Sequence, residues 1–483
     1  MKCKVKKKRL SSGGPLIAIM HETDAQKLGI HPLDRIQIKK TAVVVNLTCC
    51  DIKPGYIGLF IETWNTINVK ENEIIDIQPA KKPLSLKYIK QKLDGYELNE
   101  EEMQEIIKDI NRNNITEIEA TYFVAGCYRN GMTLNESAAL TKAIVKNSGQ
   151  IRFHKYPIVD KHSVGGVPGN RTTPIIVAIV AAAGLRIPKT STRSITSPAG
   201  TADTMEVLAP VEFTAKEIKE IAQKTGGCLV WGGTKDLASA DDKLIKLEKP
   251  LRLDPEGILL ASILAKKSAV ESSHILIDIP YGTEAKIETR KEALRLKKRF
   301  TQLGKKLGLR TQVMLTEGSE PIGNGIGPAL EARDVLLVLQ DKGPEDLKKK
   351  SLIMAAKLMK MVGIKNAKKR ATDILKSGEA LLKLQEIIKA QGGKPKRPED
   401  ISLGKYTYTV KAKKVGKITH ISNKEIARIA FIAGAPQDKG AGVYLHVHKG
   451  AKVTINQSLY TIYAEHANKL TEAKKEVKEP IEY

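Results

Sequence analysis

The segment that most constrains the fold runs from Ile158 to Leu185 and joins a short apolar run to a long one through a glycine-rich loop. A short apolar run before glycines favours a buried strand, and the eleven residues from Ile175 to Leu185 favour a buried helix. Strand, loop and helix in this order are typical of the start of an α/β layer. The sequence therefore predicts an α/β domain with this loop at one end of its sheet.

The loop itself has the composition of an anion-binding site. Its glycines allow backbone N–H groups to turn toward one point, and the following helix directs its positive N-terminal end there. A lysine and several hydroxyls around this point could neutralise and orient a phosphate. The residues concerned are Gly165, Gly166, Gly169, Lys161, Ser163, Thr172 and Thr173. Neither a Walker loop nor a G-x-G-x-x-G fingerprint is present, and a plain glycine turn is the alternative interpretation.

A second loop, Thr190–Asp203, follows in the next predicted strand–loop unit. It contains seven Ser and Thr hydroxyls together with Arg193 and a Pro-Ala-Gly sequence that favours a loop. A solvated turn would explain this composition if the segment stood alone. Because consecutive parallel strands deliver their loops to the same edge of a sheet, we expect the two loops to lie close together.

Two further segments carry groups suited to a phosphorylated substrate. Asp254 precedes Pro255, a pair that is typical of a helix N-terminus, and capping alone would explain it. Ser262 and Lys266 are four residues apart and therefore lie on one face of the helix that follows. The loop Tyr281–Lys286, after the next predicted strand, supplies another lysine.

The remaining pattern predicts several domains. At about 100–200 residues per domain, 483 residues imply two to four. We expect an α/β protein with a small β-rich N-terminal domain, a helical lobe, a mixed-sheet α/β lobe and a C-terminal α+β domain, with the active site in the cleft between the two lobes. The predicted boundaries are residues 1–84 for the N-terminal domain (oligomerisation), 85–150 and 236–267 for the helical lobe, 151–235 and 268–398 for the α/β phosphate-binding lobe, and 399–483 for the C-terminal domain.

Charge alone leaves several partners open. Lys and Arg number 80 against 54 Asp and Glu, so the net charge is +26. This excess fits a nucleic-acid surface, a field for small phosphorylated anions or a heat-adapted surface. Aromatic residues make up only 4%, which leaves few to stack on single-stranded nucleic acid. The basic runs Lys348–Lys350 and Lys368–Arg370 are typical of solvated helix faces, so we expect no nucleic-acid polymer as partner.

The composition also argues against a membrane or disulfide-rich protein. The longest apolar run has eleven residues, whereas a membrane-spanning helix needs about 20. The basic start of the chain lacks the apolar segment of a signal peptide. Five cysteines without C-x-x-C spacing predict neither a disulfide framework nor a metal site. We therefore expect a soluble cytoplasmic protein.

Several motifs occur in the order in which a known family has them. A lysine–histidine–serine–x–glycine–glycine signature is found at Lys161–Gly166, and further motifs occur at Gly131–Thr141, Glu320–Glu331 and Gly440–His446. From about Ser85 onward, the chain resembles the nucleoside phosphorylases of the thymidine and pyrimidine class.

Three departures from that class resemble the archaeal AMP phosphorylases. The glycine loop has an additional proline within Val167–Arg171. The second loop contains Ser194–Thr201, where pyrimidine enzymes have a glycine- and histidine-containing sequence, and an N-terminal domain precedes the helical one. An arginine that helps to hold the base in pyrimidine enzymes falls on Leu247 here, which argues against thymidine or uridine as the principal substrate.

The resemblance implies a glycosyltransferase, more narrowly a nucleoside-monophosphate phosphorylase. Such an enzyme converts AMP and inorganic phosphate to adenine and ribose 1,5-bisphosphate in nucleotide salvage, and it also accepts CMP and UMP. The resemblance implies no cofactor and no metal, with phosphate as the co-substrate. We expect a homodimer formed through the helical lobe, with the N-terminal domain promoting larger homo-oligomers.

The resemblance also assigns roles to residues. Asp254 corresponds to the general acid that protonates the base, and His162 is the rival for that role. The phosphate-binding residues are Lys161, Ser163 and Ser191, with Thr173 as a further candidate. The AMP-binding residues are Gly166, Thr192, Arg193, Ser194, Ile195, Thr196, Ser197, Thr201, Ser262, Lys266 and Lys286. We further expect the 5′-phosphate of AMP to lie near Arg193.

Three alternative functions remain open at the level of sequence. A nucleoside phosphorylase would act on unphosphorylated nucleosides such as thymidine or uridine. A phosphoribosyltransferase would need an acidic magnesium site, for which Asp241 and Asp242 are the obvious pair, although a solvated helix terminus explains them more simply. A nucleic-acid-binding protein without catalysis would bind generic DNA or RNA in a salt-sensitive way.

Overall fold

The computed structural model describes residues 1–153, 157–194, 197–233, 239–251, 253–475 and 480–483. The chain divides into two compact units, one made of Met1–Asn147 with Ser239–Ala261 and the other of Ser148–Ala238 with Ser262–Tyr483. Within the described ranges, no helix is both long and apolar enough to cross a membrane.

The helices and strands are numbered in chain order. The strands are β1 (Lys2–Lys7), β2 (Ile17–His21), β3 (Arg35–Ile38), β4 (Thr41–Thr48), β5 (Tyr56–Leu59), β6 (Ile74–Pro79), β7 (Val159–Ser163), β8 (Ile187–Ser191), β9 (Gly227–Trp231), β10 (His274–Tyr281), β11 (Arg310–Glu317), β12 (Gly325–Ile326), β13 (Tyr406–Lys411), β14 (Gly416–Lys417), β15 (His420–Ile421), β16 (Gly442–Leu445), β17 (Lys452–Val453), β18 (Ser458–Ala464) and β19 (Ile481–Glu482). The helices are α1 (Glu22–Leu28), α2 (Ile61–Ile67), α3 (Ser85–Leu93), α4 (Glu100–Arg112), α5 (Glu117–Asn130), α6 (Leu134–Lys146), α7 (Thr172–Ala182), α8 (Thr201–Glu206), α9 (Ala215–Thr225), α10 (Ser239–Glu248), α11 (Glu256–Ala269), α12 (Arg290–Lys306), α13 (Pro328–Leu339), α14 (Glu345–Met361), α15 (Ala367–Lys376), α16 (Glu379–Ala390), α17 (Asn423–Ile432) and α18 (Ala467–Lys475).

The first unit begins with a closed barrel of strand order β1-β5-β2-β4-β3-β6. The strands alternate buried and exposed side chains, so that residues such as Val5, Ile36 and Leu59 fill the interior. Closure leaves these strands without free edges, which makes the barrel a self-contained part of the unit. The predicted β-rich start of the chain thus takes the form of a barrel.

The rest of the first unit is helical, and its helices begin where the sequence provides caps. Asn99, Thr116 and Thr133 each accept a backbone N–H through the side chain and are followed by a glutamate that completes a capping box. Helix α10 packs against α4, and its Lys243 donates hydrogen bonds to the backbone carbonyls of Ile110 and Asn111 at the end of α4. The capping box predicted at Asn99 is confirmed.

The second unit contains the predicted α/β layer. Strand β10 pairs in parallel with both β7 and β11, and β8 pairs in parallel with β9. Helix α7 is buried along nearly its whole length and packs against α14 and α16, because almost all its side chains are apolar. The strand–loop–helix prediction is confirmed, with β7 and α7 on either side of the glycine loop.

The C-terminal part of the second unit is an antiparallel sheet of order β12-β16-β18-β13 with α17 and α18 packed on it. Its edge strand β12 comes from the middle of the chain and leads directly into α13. The fold class is therefore α/β, with a helical portion and a C-terminal α+β portion, as the sequence predicts.

Candidate functional site

The glycine loop between β7 and α7 is shaped by close backbone approach. Gly165 and Gly166 have positive φ angles of 94° and 89°, a conformation that other residues rarely adopt. A Cβ atom on Gly166 would lie 2.3 Å from the backbone nitrogen of Lys286. The structure therefore brings together Gly166 and Lys286, two of the residues that the sequence assigned to AMP, and only glycine fits between the two segments.

Lys161 lies in β7, just before this loop, with its ammonium group out of water. The side chain is 1% exposed, and Nζ donates to Thr172 Oγ1 at 2.9 Å and Thr173 Oγ1 at 3.3 Å. Burial lowers the pKa of Lys161 to about 7; the negative charge of Asp278 opposes this shift, whereas the positive charges of Lys350 and Arg171 add to it. The hydrogen-bond partners that the structure gives this ammonium are neutral hydroxyls, so its charge can serve an incoming anion.

Ser163 faces a buried carboxylate that the sequence interpretation did not include. Its hydroxyl donates to Asp278 Oδ2 at 2.9 Å, and the Asn170 side chain donates to Ser163 Oγ at 3.3 Å. Lys350 Nζ lies 3.2 Å from the same Asp278 oxygen. Burial alone would raise the pKa of Asp278, but Lys350, Lys161 and two hydroxyl donors hold it below its usual value. Asp278 is therefore an ionised partner of the predicted phosphate site.

A second buried carboxylate, Asp160, sits at the base of the loop. Lys267 Nζ lies 2.8 Å from Asp160 Oδ2, and Lys189 Nζ lies 3.4 Å from Oδ1. Burial lowers the pKa of Lys267 to about 7 against the pull of Asp160. Loss of hydration, together with these and neighbouring lysines, also drives the pKa of His162 well below its usual value. The imidazole of His162 is therefore neutral at pH 7.

The second loop is folded around Asp203. Asp203 Oδ2 accepts hydrogen bonds from the backbone nitrogens of Ser194 at 2.7 Å and Gly200 at 2.8 Å. A Cβ atom on Gly200 would lie 2.5 Å from the carbonyl oxygen of Thr192, so the loop closes tightly on itself. Ser191, at the end of β8, donates to the Val230 carbonyl at 3.0 Å. Internal contacts therefore hold the backbone at Thr192, Ser194 and Gly200 of the loop that the sequence assigned to AMP. The predicted residues Ile195 and Thr196 lie outside the described residues.

Arg193 is engaged by carboxylates of its own unit. Its guanidinium donates to both carboxylate oxygens of Glu206, at 2.8 and 2.7 Å, and to Glu212 Oε1 at 2.9 Å. The guanidinium also lies over the Trp231 ring, 5.2 Å from its centroid. The hydrogen bonds to Glu206 raise the pKa of Arg193 further above its ordinary value. A 5′-phosphate near Arg193 would have to compete with these carboxylates.

Arg171 connects the glycine loop to the second loop. It immediately precedes α7, and its guanidinium donates to Thr201 Oγ1 at 2.9 Å and to the Ala199 carbonyl at 2.7 Å. Its Nε donates to Glu331 on α13, whose carboxylate also accepts from Thr204 Oγ1 at 3.1 Å. Two predicted substrate loops are therefore joined by one buried side chain.

The remaining predicted site residues lie on or near α11 and on the Lys286 loop. Lys266 Nζ is 3.4 Å from Ser262 Oγ, as their spacing predicts. Asp254 is exposed and lies just before the helix, in the first unit, where Gly257 packs against Met132. Lys286 is also exposed. Helix α11 begins in the first unit and ends in the second, so Asp254 and the Ser262–Lys266 pair belong to different units.

Four residues of the site were missed or misinterpreted from sequence: Asp278, Lys350, Arg171 and Glu331. Asp278 occupies an interior position of a buried strand, where an unpaired carboxylate would be strongly unfavourable. Its position in an apolar segment therefore indicated, from the sequence alone, that it has a charged or hydrogen-bonded partner. Lys350 was interpreted as part of a solvated helix face, but its side chain is only 10% exposed. That interpretation of the Lys348–Lys350 run is wrong for Lys350. No cluster of three His, Cys, Asp or Glu residues suited to a metal was found in the described part of the chain.

Comparison with known families agrees with this architecture. The helical bundle domain of a glycosyl transferase family matches residues 86–148, and the a/b domain of that family matches residues 155–381. A pyrimidine nucleoside phosphorylase C-terminal domain matches residues 417–483. A solved structure of anthranilate phosphoribosyltransferase from Thermus thermophilus superimposes with a TM-score of 0.50 at 17% identity, over 63% of this chain and 99% of that one. The fold and the matched domains define a pentosyl-transferring glycosyl transferase.

Similar sequences narrow this class. The AMP phosphorylase of Thermococcus sibiricus is 45% identical over 98% of this chain and 95% of its own length. The AMP phosphorylases of Thermococcus kodakarensis (45% identity, 98% and 95% coverage) and Natronomonas pharaonis (44%, 95% and 93%) are similar over nearly the same extent. The chain belongs to the AMP phosphorylase family.

Proposed function

We propose that the protein catalyses the reversible phosphorolysis of AMP to adenine and ribose 1,5-bisphosphate, with inorganic phosphate as co-substrate and no cofactor. The bond between C1′ and the base breaks, an oxygen of phosphate bonds to C1′, and the departing base takes up a proton. The names of the similar proteins and the motifs support AMP over unphosphorylated nucleosides. CMP and UMP are proposed as further substrates, in a nucleotide-salvage role in the cytoplasm.

The observation that carries this proposal is the environment of Lys161. Its buried ammonium is bonded to the hydroxyls of Thr172 and Thr173, at the first turn of α7. A phosphate dianion placed here would be attracted by the protonated form of Lys161 and by the positive end of the helix, in surroundings that exclude water. Ser163 and Ser191 would add hydroxyl donors. Such a site orients the nucleophile and stabilises charge as the sugar develops oxocarbenium character.

Ser163 must change partner when phosphate binds. Its single hydroxyl proton points to Asp278 in the structure, so Ser163 can donate to a phosphate oxygen only by giving up that hydrogen bond. We propose that the Ser163 hydroxyl rotates toward phosphate, and that Asp278 remains satisfied by Lys350 and by the 2.6 Å hydrogen bond from Thr316. The buried carboxylate would thus hold the serine in place before the substrate arrives.

Protonation of the departing base is assigned to Asp254. His162 is a poor acid because its low pKa keeps it neutral, and the proton that a neutral imidazole retains is very difficult to remove. Asp254 is exposed in the structure and would act as the acid only with the substrates bound beside it.

A steady-state comparison tests the function and the acid together. We expect phosphate-dependent base release from AMP, and much slower release from adenosine, thymidine and uridine at equal concentration. Preference for an unphosphorylated nucleoside would overturn the proposed function. Loss of a general acid costs about 10²- to 10⁴-fold in rate, so Asp254→Asn should reduce kcat by that amount with AMP. If Asp254→Asn retained near-normal kcat while His162→Ala lost it, His162 would be the acid.

The proposed homodimer is supported by exposed apolar side chains on the helical part of the first unit. Tyr96 is 65% exposed, and Ile118, Tyr122 and Tyr128 on α5 are 67%, 54% and 59% exposed. Burial against a second copy would remove this surface from water. Light scattering of the protein and of an Ile118→Asp/Tyr122→Asp variant tests this, since the variant should lose the dimer. If the barrel promotes larger assemblies, substitutions on the barrel should remove assemblies larger than the dimer and leave the dimer itself intact.

A further inference from the structure

The Arg171 guanidinium donates hydrogen bonds to three acceptors that lie in different directions. Nε donates to Glu331, Nη1 donates to Thr201 Oγ1, and Nη2 donates to the Ala199 carbonyl. The arginine stands at the start of α7, so these bonds link the end of the glycine loop to two points of the second loop. Because the guanidinium is planar and its N–H groups diverge, the three acceptors can be held only in one mutual arrangement.

Glu331 fixes this arrangement to the core of the second unit. Its side chain is 1% exposed on α13, and Thr204 of α8 donates to the same oxygen that Arg171 contacts. Gly327, just before α13, donates to the other oxygen at 3.4 Å. A buried ion pair adds little stability when compared with apolar residues of the same volume, whereas it is highly sensitive to geometry. The pair is therefore better suited to positioning than to stabilisation.

We propose that the Arg171–Glu331 pair is a positioning device that holds the Ala199–Thr201 segment in its AMP-binding conformation while the phosphate loop stays in place. This inference rests on the proposed function, because it takes the second loop as part of the AMP site. Neither residue is assigned contact with substrate. A loop that is ordered in advance loses less conformational entropy when the nucleotide binds, and this gain is reflected in the affinity for AMP.

The central test separates the affinity for AMP from that for phosphate. Arg171→Lys keeps the positive charge but cannot reach three divergent acceptors. Loss of one or two charge-assisted hydrogen bonds predicts a rise of about tenfold or more in the KM for AMP. The KM for phosphate should stay within about twofold, because the charge near Lys161 is retained. Glu331→Gln should give a smaller rise in the same parameter, since the amide oxygen can still accept from Arg171.

A second measurement follows the loop directly. Backbone amide hydrogen exchange in a peptide covering residues 197–204 should accelerate in Arg171→Lys without any ligand, while exchange in β7 and β10 should stay unchanged. The matched control is Lys92→Met in the first unit, where Lys92 and Glu136 form another buried pair at 2.6 Å. This variant should lower the melting temperature and leave both KM values unchanged.

The outcomes separate this inference from the proposed function. An unchanged KM for AMP in Arg171→Lys, or equal rises in both KM values, would overturn the positioning role. If the wild-type protein released no adenine from AMP, the proposed function would fail. The hydrogen-exchange result would still decide separately whether Arg171 orders the loop, and unchanged exchange in Arg171→Lys would refute that.

Discussion

The glycine loop and the second loop both carry positive charge, but they use it differently. At the glycine loop, Lys161 donates to the hydroxyls of Thr172 and Thr173. At the second loop, Arg193 is bonded to Glu206 and Glu212, and the arginine that reaches this loop, Arg171, is bonded to Glu331. The first loop therefore has charge to offer an anion, whereas the charges of the second serve to define its shape.

This difference separates two ways of recognising a phosphorylated substrate. A buried lysine that is hydrogen-bonded to neutral groups attracts a dianion strongly, because folding has already removed the lysine from water and no further desolvation of it is needed. An arginine whose charge is already balanced by two carboxylates gains little from an additional anion. Affinity for inorganic phosphate should therefore depend on single cations, and affinity for the nucleotide on the order of the second loop.

The largest difference between the two loops should appear when Lys161 and Arg193 are each replaced by an apolar residue. Lys161→Met removes a charge that stabilises the transition state, and we expect kcat/KM for phosphate to fall by about 10²- to 10³-fold. Arg193→Met should change kcat/KM for phosphate by less than about threefold, because partly exposed ion pairs contribute little. Initial rates at varied phosphate check both, and comparable losses would remove the distinction between the loops.

The next effect should come from the close approach of backbone at Gly166. Gly166→Ala adds a methyl group at a positive φ and 2.3 Å from the Lys286 nitrogen, a strain of about 1–3 kcal/mol or more. We expect a lower melting temperature and at least about tenfold weaker AMP binding. Gly165→Ala is the matched control, since it has a similar φ but no atom within 4 Å of the added Cβ. Equal effects of the two substitutions would show that φ alone matters.

A smaller effect should follow from removing Lys350, which compensates the charge of Asp278. In Lys350→Met the carboxylate beside Ser163 would be less well balanced, and we expect the KM for phosphate to rise about tenfold. Lys349→Met changes an exposed neighbour in the same basic run and should have no effect. If both variants behaved alike, the ion pair at 3.2 Å would have no part in phosphate binding.

The smallest expected effect is a pH dependence of anion binding at the glycine loop. The pKa of Lys161 is lowered to about 7, so the charged form decreases as the pH rises through this value. Sulfate, a dianion at constant charge in this range, should bind about fivefold more weakly at pH 8 than at pH 7. Calorimetric titration measures this, and Lys161→Arg should bind sulfate with little pH dependence. A flat profile in the wild-type protein would contradict the depressed pKa.

Local sequence signals were sufficient for the elements and for the loop. The capping box at Asn99 and the apolar run after the glycines each depend on residues within a few positions, and both are confirmed. The phosphate loop could be found because strand, glycines, lysine and helix start follow one another directly. Its predicted ligands Lys161 and Thr173 lie together for the same reason.

The residues that tune the site could not be found in this way, because their partners are distant in sequence. Arg171 and Glu331 are separated by 160 positions, and Ser163 and Asp278 by 115. In the sequence, Lys350 resembles a surface lysine, and only the packing of α14 on β7 and β10 shows that it is largely buried. Arg193 could be interpreted as a ligand for the 5′-phosphate only while Glu206 and Glu212 were not known to surround it.

The strand β12 has a consequence for how the chain could be divided. It lies before α13 in sequence and pairs with β16 near the C-terminus, and Lys439 from the same C-terminal region lies 2.7 Å from Glu206. A chain shortened at Pro398, the predicted boundary of the C-terminal domain, would leave β12 without its partner and the second loop without one of its ionic neighbours. The C-terminal portion is therefore not an interchangeable module, and exchanging it between related enzymes should alter nucleotide recognition as well as stability.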